Sequence, residues 1–127
     1  MATLTAAARN AACNAIVDLV DVGAGTNGTL EIGTAGFAAT LVTFDFAATA
    51  FGAASSGTAT AASLPITATA AATGTAAEYR IRDQDNVTVW SGTSVGTSGT
   101  EVVLSSTSIT SGQSIDLTAC SCTMPAS

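Results

Sequence analysis

After Gly25 the hydrophobic pattern of this chain changes from a helical period to a period of two and stays there, which restricts the fold more than any other feature of the sequence. Before the change, residues 4–21 predict one amphipathic helix. Leu4, Ala8, Ala11, Ala12, Ala15, Ile16, Leu19 and Val20 fall on one stripe of it. Alanine is the best helix former, Thr3 or Thr5 suits the N-cap, and Gly23 and Gly25 stop the pattern. Arg9, Asn10, Asn14, Asp18 and Asp21 interrupt the apolar run, so it cannot serve as a membrane span.

After the change, short runs read as strands. Leu30 and Ile32 alternate behind an Asn27-Gly28 turn signal, and residues 40–44 form a Thr/Leu/Val/Phe run. Residues 58–61 and 64–70 are weaker Thr/Ala strands, with Pro65 marking an edge or a bend. Residues 77–82 alternate most clearly: Ala77, Tyr79 and Ile81 on one face, Glu78, Arg80 and Arg82 on the other. Asp83-Gln84-Asp85-Asn86 is a polar turn, and Val87 to Trp90 is the return strand of a hairpin. Gly92 to Gly99 is a connection, 101–104 a further strand, Thr107 to Gly112 a turn. The strand 114–123 places Ile115, Leu117 and Ala119 on one face. The expected fold is mainly β: an antiparallel β-sandwich, jelly-roll or Ig-like, preceded by one N-terminal α-helix. The expected division is 1–26 for helix and linker and 27–127 for the sandwich, within a length that suits one core.

Composition narrows the function. Only 9% of residues are charged, against about 25% in ordinary domains, and nine carboxylates against three arginines leave a net charge of −6. Three arginines without lysine cannot build the basic stripe that nucleic acid or an anionic membrane requires. The chain is nevertheless apolar on balance, at 47%, which does not fit a disordered segment. So weakly charged a surface favours association with neighbours. The opening Met1 to Thr5 lacks a basic n-region and an apolar h-region, so synthesis in a cytoplasm without export by the general pathway is expected.

Candidate chemistry is thin. Without histidine the commonest general base and metal ligand is missing, and without lysine there is neither Schiff-base chemistry nor a P-loop. Cys120-x-Cys122 shares a strand face, but zinc needs two more soft ligands and only Cys13 remains. These cysteines read as small half-buried residues, with a disulfide from Cys13 to one of the pair as the alternative. Asp83-x-Asp85-Asn86 starts like a calcium loop, but Thr88 and Ser94 stand where glycine and glutamate are required. Glu78 and Glu101 read as solvated strand residues and not as a glycosidase pair. Trp90, Tyr79 and the phenylalanines read as core and not as a sugar platform. Asn27-Gly28-Thr29 and Asn86-Val87-Thr88 match the glycan acceptor pattern, which matters only in a secreted eukaryotic chain. No catalytic, cofactor-binding or metal-binding residue is therefore expected, and no enzymatic activity.

One resemblance spans nearly the whole chain. An opening helix with Arg9-Asn10, a strand with Leu41 and Phe44, and Ala50-Phe51-Gly52-Ala53-Ala54 come first. Tyr79-Arg80-Ile81, Gly92 with Val95-Gly96-Thr97-Ser98-Gly99, Gly112 and a closing Thr123-Met124-Pro125 follow in order. In the order and spacing of these pieces the chain resembles a family of small phage and prophage proteins encoded among virion genes. It departs in the short Gly33–Gly36 connection and in its last-strand cysteines. The resemblance carries no catalytic residue. It implies a structural virion protein of a tailed bacteriophage, foremost a capsid decoration (cement) protein, assembled in the host bacterial cytoplasm and located on the capsid surface. The implied partners are the major capsid protein and copies of itself, with no nucleic acid and no membrane. The alternatives are a tail or baseplate subunit and, from other classes, a carbohydrate-binding β-sandwich module or a surface filament.

Overall fold

The computed structural model describes residues 3–25, 27–47, 49–62 and 64–123. Met1 and Ala2 at the start, and Met124 and Pro125 of the closing Thr123-Met124-Pro125, lie outside them. Helix α1 (Ala6–Asp18) runs on through a 3₁₀ turn at Leu19–Asp21. Thr5 caps it, its side chain accepting the Ala8 N–H at 3.1 Å. Among the described residues eleven strands follow: β1 (Thr29–Gly33), β2 (Thr40–Asp45), β3 (Thr58–Thr60), β4 (Ile66–Thr69), β5 (Gly74–Thr75), β6 (Glu78–Arg82), β7 (Thr88–Gly92), β8 (Val95–Gly96), β9 (Val102–Leu104), β10 (Ser108–Ile109) and β11 (Ser114–Thr123).

They form a β-sandwich behind the N-terminal helix. One sheet has the order β2-β1-β6-β7, all antiparallel. The other runs β3-β11-β9-β8, with β4 also on β11, and among the described residues β8 on β9 is its parallel pair. A small β10-β5 ladder lies outside both. The ten-residue β11 is the spine of the second sheet. Its N-terminal half pairs with β4, from Ser114↔Thr69 to Leu117↔Ile66, and its C-terminal end with β3, from Ser121↔Thr60 to Thr123↔Thr58. Between Thr60 and Ile66 the chain takes six steps where β11 takes four between Ser121 and Leu117. The edge is therefore broken into two strands, and the break holds Leu64-Pro65, joined by a cis peptide.

Leu30 and Ile32 from β1, Leu41 and Phe44 from β2, and Ile81 from β6 are fully buried, as are Leu117 and Cys120 from β11 and Val102 from β9. Both sheets thus face one core, and α1 closes it with Cys13 and Val17, joined by Val20 of the 3₁₀ turn.

Two expectations are corrected. First, the helix buries its predicted stripe only in part, at Val20 and partly at Ala12 and Ile16. Leu4 and Leu19 are 40% and 52% exposed, and Ala8, Ala11 and Ala15 are exposed too, while Cys13, Val17 and Val20 are inside. Burying a methyl group gains little, so the docking face was chosen by larger side chains and by hydrogen bonds. Second, Ala119 does not continue the face of Ile115 and Leu117. The register against β9 shifts between Leu117 and Ala119, and this bulge turns Cys120 and Cys122 into the core. The two cysteines are consequently buried, at 0% and 8% exposure, where half-buried positions were expected.

The junction of helix and sheet depends on a residue without a side chain. A Cβ on Gly28 would lie 2.3 Å from Val20 Cγ1 and 2.7 Å from the Val20 carbonyl oxygen. Gly28→Ala is expected to destabilise the protein by about 1–3 kcal/mol through this overpacking. Urea denaturation measures it, and an unchanged midpoint would show that the junction is loose.

Candidate functional site

Helix α1 is docked through polar groups. Asn10 Oδ1 accepts the Gly57 N–H at 2.8 Å, Asn14 Oδ1 the Ala54 N–H at 2.8 Å, and Asp21 Oδ1 the Ala50 N–H at 2.9 Å. Arg9 adds a longer bond to the Ser56 carbonyl, 3.4 Å. The segment 50–57, Ala-Phe-Gly-Ala-Ala-Ser-Ser-Gly, is in large part backbone, and the helix supplies acceptors for its N–H groups. In the sequence, Asn10, Asn14 and Asp21 interrupt the apolar run of the helix. Their spacing carried the missed signal: Asn10, Asn14, Val17 and Asp21 follow a helical period and lie on one face.

Beside this ladder lie the three thiols. Cys13 donates from its Sγ to the Cys122 carbonyl oxygen at 3.1 Å, joining α1 to β11. Cys120 sits two residues away on the same inward face. Burial foremost, then the nearby Glu101 charge and Cys122, pushes the Cys120 thiol up to about 12. Burial foremost, then the contact with Cys13 and the Glu101 charge, pushes Cys122 up to about 12 as well. At neutral pH both remain thiols and are weak nucleophiles.

Glu101 also bridges the sheets. It stands just before β9, and its carboxylate accepts the hydroxyl of Tyr79 on β6 at 3.1 Å. Burial first, and then the charge of Glu101 and the hydrogen bond to it, raises the Tyr79 hydroxyl above the ordinary phenol range, while a hydrogen bond with Trp90 acts the other way. Tyr79 is thus a neutral donor that ties one sheet to the other.

The remaining candidates are apart from this cluster. Glu78 accepts the Gly36 N–H, and Glu101 accepts Tyr79, so the two carboxylates have separate partners. Glu31, at 14% side-chain exposure, takes Arg80 and Arg82 together on the outer face, and Arg80 also covers the Phe37 ring at 4.4 Å. Asp83 Oδ1 accepts the Asp85 N–H at 2.9 Å and the Val87 N–H at 3.0 Å, the pattern of an Asx turn. Asp85 Oδ1 accepts the Ala24 N–H at 3.0 Å, pinning the post-helix loop to this hairpin. Phe46, Phe51 and Trp90 stack in tilted pairs at 5.3 and 5.6 Å, with both phenylalanines buried. Asn27 donates to the Phe46 carbonyl, whereas Asn86 is exposed in a left-handed turn conformation. Among the described residues no pocket opens, and no carboxylates and thiols converge as a metal centre.

The outer face of β11 and of β3 and β4 beside it is rich in hydroxyl groups. Thr60, Thr67, Thr69, Ser114, Thr118 and Thr123 are all exposed on it. Asp116 is the charged residue among them on β11, and it accepts the Thr67 hydroxyl at 2.7 Å. Comparison of the chain with family models, with curated proteins and with solved structures gives no match.

Proposed function

We propose that this chain is a structural virion protein of a tailed bacteriophage, a decoration (cement) protein that coats and stabilises the head shell alongside copies of itself. The observation that carries the reading is the hydroxyl-lined outer face of β11 and of β3 and β4 beside it. Short Thr and Ser side chains let a neighbouring surface approach closely, and few charges must be stripped of water when it does. A rigid sandwich that presents such a face suits a lattice position, where contact rests on shape and apolar area. The sequence resemblance to virion-encoded proteins points to the same role.

Attachment of this kind withstands salt, because screening weakens only charge-based contacts. Purified particles washed in about 1 M salt are expected to keep the chain, at a copy number comparable with that of the major capsid protein, by quantitative mass spectrometry. Release by salt alone, or a few copies per particle, would overturn the head-coat assignment.

A further inference from the structure

We propose that Cys13 and Cys122 are the two halves of an intrachain disulfide, formed on oxidation, that fastens helix α1 covalently to strand β11. The Cys13 Sγ already lies 3.1 Å from the Cys122 carbonyl oxygen, and both side chains are buried in the seam between helix and strand. A disulfide requires Cβ atoms about 3.5–4.5 Å apart, and a Cys13 sulfur in contact with the backbone of Cys122 places the two residues side by side across the seam. The shift of the Cys122 thiol, to which contact with Cys13 contributes, agrees with that proximity.

The geometry also selects the partner. Cys120 and Cys122 stand two residues apart on one strand, about 6.6 Å between Cα atoms with parallel Cβ directions, which disfavours a bridge between them. The hydrogen bond from Cys13 reaches Cys122 and not Cys120.

The oxidant is a small disulfide of the oxidised-glutathione class. One cysteine, as thiolate, attacks a sulfur of the oxidant; the oxidant's S–S bond breaks and one small thiolate leaves. The second cysteine, again as thiolate, attacks the protein-bound sulfur of the mixed disulfide and expels the other small thiolate. Two protein thiols are oxidised, one small disulfide is reduced to two thiols, and the two cysteine protons end on them. The reaction is slow near neutral pH and quickens as pH rises, because the thiolate is the attacking form.

The bridge spans 109 positions of the chain, so it removes much of the freedom of the unfolded state. The thermal midpoint is expected to rise by on the order of 10 °C. The experiment treats the purified full chain with oxidised glutathione at mildly alkaline pH. Peptide mapping without reduction then identifies the bridge, and calorimetry gives the midpoint before and after reduction. Wild type and Cys120→Ala are expected to yield a Cys13–Cys122 peptide and the raised midpoint, whereas Cys122→Ala yields neither. The mapping of wild type decides the matter even if a variant folds poorly. A bridge between Cys13 and Cys120, a bridge between Cys120 and Cys122, or three cysteines left reduced in the native protein would each overturn the proposal.

Discussion

Raising the pH from about 8 to about 11 is expected to cost the fold about 2–3 kcal/mol through Cys120. Its side chain is fully buried, and its thiol is pushed from the ordinary 9.0 up to about 12, by burial above all. Between these values the unfolded chain releases the proton while the folded chain keeps it. The unfolded state then binds fewer protons, so stability falls as pH rises, by about 1.4 kcal/mol per pH unit for one such thiol. The contribution is complete below the unfolded value and is lost on the approach to the folded one. Cys122 acts in the same direction over the same window, and Tyr79 adds to it at higher pH, since burial raises its hydroxyl too. Urea midpoints under reducing conditions across this range measure the slope. Cys120→Ala should reduce it to the part contributed by Cys122, even though that variant starts from a lower stability. A wild-type midpoint that stays level from pH 8 to 11 would mean that solvent reaches the thiol.

The second large effect concerns the ladder between α1 and the segment 50–57. Replacing Asn10 and Asn14 together by alanine removes the acceptors of the Gly57 and Ala54 N–H groups. Gly57 is buried and Ala54 partly so, which limits rescue by water. An orphaned buried donor costs about 1–3 kcal/mol, so the double variant is expected to lose about 4 kcal/mol, a large part of the stability of a small domain. The sites lie one helical turn apart and serve one segment, so the two losses need not add. Alanine is the better helix former, so the helix itself gains slightly, which isolates the cost to the docking contacts. Asn14→Asp retains an acceptor oxygen and is expected to cost under about 1 kcal/mol. Denaturant titration with hydrogen exchange at Ala54 and Gly57 reads the result. Unchanged protection of both amides in the double variant would show that the ladder does not hold the segment.

Stability of the sandwich therefore rests on two kinds of contact that differ in visibility. Apolar alternation along β1, β6 and the first half of β11 is a local property, because neighbouring side chains on a strand must point to opposite faces. Leu30, Ile32, Tyr79, Ile81, Ile115 and Leu117 could be placed inside from spacing alone, and all are buried. The same logic separates Glu78, Arg80 and Arg82 from Tyr79 and Ile81, and the hairpin turn at 83–86 follows from its Asx residues.

What the chain alone determined is thus the mainly β class, the single leading helix and most strand positions, since each depends on periods and turn residues a few positions long. Tertiary structure alone decided three things. It shifted the register of β11 at Thr118–Ala119, because that strand must pair with β4 and β3 along one side and β9 along the other, and this brought Cys120 and Cys122 inside. It selected the polar face of α1 over the alanine face, because the partner was a backbone-rich segment some forty positions away whose N–H groups needed acceptors. And it set Glu101 beside Tyr79 and Cys13 beside Cys122, pairs 22 and 109 positions apart. Such pairs are invisible to any local period, because their proximity is a consequence of how whole sheets stack and not of the spacing between neighbouring residues.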